Sequence, residues 1–143
     1  MNFVLVTGGN KKNRQLVEEI VNWCIDEMMP RMRTLDIHVH MSSILKSDGA
    51  YGWCHSIDNR EFELEIHKNR DDYESREDFI KTVMHEMVHV MQWAKGLCKD
   101  YADGRRMWKD KDHANTPYSK QPWERQAYRM QETLYKKWLT EIQ

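Results

Sequence analysis

The stretch Ser75-Arg76-Glu77-Asp78-Phe79-Ile80-Lys81-Thr82-Val83-Met84-His85-Glu86-Met87-Val88-His89-Val90-Met91-Gln92-Trp93-Ala94-Lys95-Gly96 reads as one amphipathic helix. Ser75, with Asp78 three residues later, is a capping-box-like start, and Gly96 is a stop. With His85 at zero and about 100° per residue, Phe79, Ile80, Val83, Met84, Met87, Val88, Val90, Met91 and Ala94 fall between about 120° and 300°. His85 and His89 centre near ~20°, opposite that apolar arc. Core histidines would sit on the arc, so these two are not packing residues. A merely solvated helix face would accommodate them but gives no reason for the glutamate beside them. Histidines four apart on a helix differ by ~40° and about one turn, so both rings can meet at one ion. Glu86 lies ~100° round, within reach of a water on that ion. His85-Glu86-Met87-Val88-His89 is an HExxH motif.

A catalytic zinc commonly takes three protein ligands and a water, so a third ligand is needed. Downstream candidates are His113 and Glu124. Pro122 suits a first helical position, and residues 122–141 carry a helical stripe of Ala127, Tyr128, Leu134, Tyr135, Trp138 and Leu139. Glu124 falls inside that stripe, in the first turn, where a lone carboxylate is costly unless paired. A metal ion is a sufficient partner, and the helix N-terminus adds up to ~1 kcal/mol. His113 follows the charged run Lys109-Asp110-Lys111-Asp112, where no apolar periodicity fixes it. Glu124 is therefore the expected third ligand.

The upstream half supplies a sheet and a further helix. Gly8-Gly9 reads as a turn, because a full phosphate-binding glycine pattern is missing. Residues 11–29 read as a helix through Leu16, Val17, Ile20, Trp23, Cys24 and Met28, with Pro30 ending it. Residues 34–41 alternate, Leu35, Ile37, Val39 and Met41 against Asp36, His38 and His40. His38 and His40 share a strand face and could hold a metal, although a solvated polar face is the plainer reading. Residues 51–57 and 60–67 read as a hairpin around Asp58-Asn59. Glu61, Glu63 and Glu65 then line one face of the second strand, as a cation-binding row or, more simply, as the charged face of an edge strand. Residues 97–121 read as a long polar loop with a short helical turn, of the kind that often carries function.

Composition limits the alternatives. The 143 residues are about one domain's worth and long enough for a core of their own. Charged residues are 31% of the chain and mean hydropathy is -0.88, with no apolar run near the ~20 residues a bilayer span requires. The 22 basic and 23 acidic residues leave a net charge of -1, which argues against a sequence-independent grip on nucleic acid. Residues 1–9 lack the length and basic start of a secretory leader, so a cytoplasmic location is expected. Cys24, Cys54 and Cys98 form no CxxC pair and read as small buried hydrophobes.

HExxH followed by Glu124-Arg125-Gln126-Ala127 resembles the gluzincin class of zinc metallopeptidases, and the small size resembles its minigluzincin group. Pro117-Tyr118, Pro122-Trp123-Glu124 and Ala127-Tyr128 are similar to small HExxH proteins of tailed-phage genomes, for which the cytoplasm would be that of the host. The resemblance implies an α+β zincin-like domain: an N-terminal helix, a small mostly antiparallel sheet, the HExxH helix and a C-terminal ligand-bearing helix. It also implies zinc held by His85, His89 and Glu124, with Glu86 as general base acting on a peptide or protein substrate. Lys95, not histidine, stands six after His89, which argues against a metzincin. Such a ligand set would acidify a water towards a pKa of ~7–9, with Glu86 taking its proton and returning it to the leaving amine. Tyr118 or His113 would add an oxyanion donor, and strand 60–67 a peptide-binding edge. Rival readings are a non-catalytic zinc-stabilised peptide- or protein-binding module, an SprT-like protease of DNA-bound proteins, and a repressor-cleaving or toxin–antitoxin partner.

Overall fold

The structure, a computed structural model, describes residues 1–44 and 50–142. Strand β1 (Phe3–Gly8) runs into helix α1 (Lys11–Met28), followed by β2 (Asp36–Ser42), β3 (Gly52–Ser56) and β4 (Glu61–His67). Helix α2 (Arg76–Ala94) leads to three short strands, β5 (Cys98–Asp100), β6 (Arg106–Trp108) and β7 (Lys111–Asp112), and the chain ends in helix α3 (Pro122–Ile142). The fold is α+β, as expected.

The expectation of a mostly antiparallel sheet is overturned. The four-stranded sheet has the order β1-β2-β4-β3, with β1 parallel to β2, β2 parallel to β4, and only β3 antiparallel to β4. The visible hairpin is its one antiparallel link. β1 supplies the strand that changes the balance, joined to β2 through α1 as a β-α-β crossover. Its residues 3–8 carry apolar side chains on both faces: Phe3 and Leu5 are exposed, while Val4 and Val6 pack on the core. That hides the two-residue alternation by which half-buried strands are recognised.

The alternation of β2 does set its faces: Ile37, Val39 and Met41 are buried, along with Phe62, Leu64 and Ile66 of β4. These side chains share one core with Val17, Ile20, Val21 and Cys24 of α1 and with Phe79, Ile80, Val83, Met84, Met87 and Val88 of α2. The opposite sheet face carries His38, His40, Glu61, Glu63 and Glu65. β4 is nevertheless not an edge strand, as its glutamate row suggested. It lies between β2 and β3, and the edges are β1 and β3.

Local signals account for the element ends. Asn10 caps α1 by accepting from Asn13 N at 2.8 Å. The Asp58 carboxylate accepts from the backbone N–H of Arg60 and Glu61, both at 2.7 Å, and turns the β3–β4 hairpin. Ser75 accepts from Asp78 N at 3.2 Å to start α2. Gly96, at φ 75°, ends it, with Leu97 N donating to Gln92 O at 2.8 Å.

α3 covers the side of α2 that faces away from the sheet. Ala127, Leu134 and Trp138 are buried there, and Trp138 meets Trp23 of α1 edge-on at 5.6 Å. Lys81 ties the two helices, donating to Glu77 at 2.6 Å and to Glu132 at 2.7 Å. Residues 97–121 are less irregular than expected, since β5, β6 and β7 form a three-stranded sheet. The expected helical turn is there as well, at Tyr118–Lys120. All three cysteines are free, Cys24 and Cys98 are buried, and burial pushes the Cys98 thiol up to about 12, which suits an apolar packing role. No helix among the described residues is long and apolar enough to cross a membrane.

Trp138 is 2% exposed and joins α1 to α3. Trp138→Ala is expected to destabilise the fold by about 3–5 kcal/mol, read as a lower urea midpoint at unchanged slope.

Candidate metal centre

α2 and α3 bring three donor groups together. His85 Nε2 lies 3.1 Å and His89 Nε2 3.2 Å from the same oxygen of Glu124, Oε1. The far nitrogens are also engaged: His85 Nδ1 lies 2.8 Å from Gln131 Oε1, and His89 Nδ1 lies 2.8 Å from Gln92 Oε1. The orientation of each amide is set by its NH2 group. Gln92 Nε2 donates to Trp123 O and to Gln126 Oε1, both at 2.9 Å, and Gln131 Nε2 donates to Glu132 Oε2 at 3.2 Å.

That network assigns the tautomers. An amide oxygen only accepts, so each Nδ1 carries the proton, and Nε2 of a neutral ring presents a lone pair. Two lone pairs then face one carboxylate oxygen in a site where the side chains are 10%, 11% and 16% exposed. Such an arrangement is repulsive unless protons or a metal ion stand between the groups. A tetrahedral ion with bonds of ~2.0–2.1 Å spaces its ligand atoms ~3.3 Å apart, close to the separations seen here. His85, His89 and Glu124 can hold a metal ion.

The electrostatics agree with this geometry. Burial alone would raise the Glu124 pKa, but hydrogen bonds from His85 and His89, donated when their Nε2 atoms carry protons, outweigh it and hold the carboxyl down at about 2. Burial would lower the His89 pKa, and Glu124 reverses this and raises it. Glu86 is buried beside the group without belonging to it, and burial pushes its carboxyl up against the opposing pull of His89 and His85. An acid so raised is a proton acceptor closer to neutral pH than an ordinary glutamate.

β3 closes the site from the sheet side. A Cβ on Gly52 would lie 3.1 Å from Glu86 Oε2, 3.2 Å from Glu86 Cγ and 3.2 Å from Thr82 Cγ2. Glycine there lets the strand meet α2 at the level of Glu86. A cleft of about 1180 Å³ runs past the group along β3, lined by Trp53, His55, Trp93, Tyr118 and Trp123 among others.

The two faces of α2 separate as the sequence indicates, but the histidine face is not solvated, because α3 lies over it. Of the two candidate third ligands the structure brings Glu124 to the pair. His113 instead faces Trp123, ring centroids 5.9 Å apart, with Nδ1 3.0 Å from Thr116 Oγ1, and it does not line the cleft. Tyr118 does line it, with its hydroxyl 3.3 Å from that of Tyr128, whose ring lies 4.5 Å from His85. Sequence reasoning missed Gln92 and Gln131. Their signals were spacings: Gln92 is three after His89, and Gln131 seven after Glu124, on the same face of α3. No known family, curated protein or solved structure matches this chain.

Glu124→Ala is expected to lower affinity for zinc by about tenfold or more while His113→Ala leaves it within error, as measured by competition with a chromophoric chelator. The reverse ranking would remove Glu124 from the centre.

Proposed function

We propose that the chain is a zinc-dependent peptidase of the gluzincin type, cutting peptide bonds in a peptide or protein substrate. The observation that carries this reading is the buried carboxylate of Glu86 beside, and outside, the donor group His85, His89 and Glu124, at the wall of an open cleft. Two imidazoles and one carboxylate suit zinc and leave a coordination position open. Zinc bound there supplies a Lewis acid that acidifies a water and polarises a carbonyl.

The chain's own residues do the rest. Glu86 accepts the proton of the attacking water and returns it to the leaving amine, a role that its raised pKa and its place one residue after His85 both support. Gln92 and Gln131 keep both rings in the tautomer that offers Nε2. The free edge of β3, rather than the interior strand β4, offers backbone N–H and C=O groups to an extended substrate, whose side chains would fall alternately into the cleft and away from it. Tyr118 serves as oxyanion donor in preference to His113. Burial raises its pKa, and so does its contact with Tyr128, which keeps the phenol protonated and donating.

A zinc-stabilised binding module is the weaker reading. A purely structural centre has no use for a buried acid next to its ligands, and Glu86 costs stability. Its folded pKa lies above the unfolded value of 4.5, so the native state binds more protons than the unfolded chain as pH rises from there. Stability therefore falls with rising pH through the titration of Glu86, and the full penalty is present above its folded pKa.

Glu86→Gln is expected to retain zinc and to lower peptide hydrolysis by about 10²–10⁴-fold, measured by turnover of a peptide that the wild-type chain cuts. In chelator-treated protein the same substitution should raise the thermal midpoint at neutral pH, with the gain vanishing as pH falls towards 4.5. Cleavage undiminished in Glu86→Gln would defeat the mechanism.

Gly52→Val tests the wall. The added side chain must displace Glu86 or Thr82. Hydrolysis should fall by about 10²-fold at wild-type zinc content, because a misplaced base costs rate without removing a ligand.

A further inference from the structure

The sheet face turned away from the helices carries a second convergence of donors. His38 and His40 are two apart on β2 and so project to the same side, and the register sets Glu63 of β4 directly beside His38. The two imidazole rings lie 3.9 Å apart between centroids, tilted by 41°. One ligand atom from each of His38, His40 and Glu63 lies within 4.8 Å of the others. Thr7 of β1 adds a hydroxyl 3.4 Å from His38 Nε2 and 3.4 Å from His40 Nδ1. Both distances exceed the ordinary hydrogen-bond range of ~2.5–3.2 Å, so neither ring nitrogen is strongly committed to Thr7.

We propose that His38, His40 and Glu63 form a second site for a divalent transition-metal ion. Its donor set, two imidazoles and one carboxylate, selects zinc, copper, nickel or cobalt over magnesium and calcium, which take oxygen ligands. The surroundings favour a cation. Asp36, Glu61 and Glu65 flank the group on the same face, and among the described residues none of Glu61, Glu63 and Glu65 is held in an ion pair. The rings are half-buried and face each other, whereas the side chains of an ordinary solvated strand face have no reason to converge. Glu63 is exposed, so its carboxylate has room to move the last ångström that metal–ligand bond lengths require. An ion there would cross-link β2 to β4, the two interior strands, from the open side of the sheet. Binding should be weaker than at the His85–His89–Glu124 group, because Glu63 is exposed and its carboxylate hydrated.

The test is zinc stoichiometry of the full chain after chelator treatment, read by equilibrium dialysis against zinc alone. The wild-type protein is expected to bind two equivalents of unequal affinity. The double variant His38→Gln, His40→Gln should lose the weaker equivalent and keep the tighter. Glu63→Gln, a change at an exposed position that leaves the rings in place, should weaken only the weaker equivalent, by about tenfold. Imidazole resonances of His38 and His40 should shift with the second equivalent and not with the first. A single equivalent in the wild type would overturn the proposal, as would a second equivalent that survives the double variant. Neither readout uses hydrolysis, so a chain that cuts no peptide would leave this result standing, and loss of this site would leave the peptidase reading untouched.

Discussion

Two imidazole lone pairs and a carboxylate oxygen cannot share a nearly dry site without positive charge between them, and much of this fold serves to hold them there. Gln92 and Gln131 fix the far side of each ring, which removes the choice of tautomer. With no metal the charge must come from protons, as the depressed Glu124 and the elevated His89 record. Protons and metal therefore compete for the same nitrogens, so affinity for a metal must weaken as the solution is acidified. The group can hold an ion, and without one only protons relieve the repulsion between its lone pairs.

Much of this centre was legible in the sequence because a helix turns residue spacing into geometry. The angles on α2 separate His85 and His89 from the apolar arc, and the misplaced carboxylate of Glu124 stands out on an otherwise apolar stripe. Helix ends were readable from Pro30, Ser75 and Gly96, and the hairpin from Asp58-Asn59. What stayed hidden depended on contacts between distant segments. Residues 3–8 are apolar on both sides because β1 lies at a sheet margin where Phe3 and Leu5 stay exposed, so period two was blurred. A row of glutamates marked a solvated face correctly but said nothing of strand order, since a strand can be charged on one face and paired on both edges. Glutamine 131 carried no distinguishing residue chemistry. Its role exists only because α3 lies across α2.

The stretch 97–121, polar enough to read as loop, also has a mechanical part. β5, β6 and β7 bring Cys98 and Trp108 against Trp123, and these three form a small core of their own, with Trp93 and Leu97 packed on it. Trp123 immediately precedes Glu124, and its backbone carbonyl accepts from the same Gln92 that orients His89. The satellite core thus anchors the first turn of α3 at the place where Glu124 sits. Tolerances at a metal centre are a few tenths of an ångström, and a helix whose start was left frayed would not meet them.

That arrangement explains why one helix can belong to core and centre at once. α2 puts its apolar arc against the sheet and α1, which sets its axis and rotation through many close contacts. Once rotation is set, the opposite face must present His85 and His89 at ~20°, and only the placement of α3 remains to be decided. Trp138 and Leu134 seat α3 at its far end, and Trp123 seats it at its start. Glu86, at ~100°, falls on the boundary between the two faces and is directed at β3 rather than α3. The division within the motif therefore follows from angle alone: the two residues near one direction meet Glu124 of α3 in the candidate donor group, and the residue a quarter-turn away faces the cleft beside the open sheet edge.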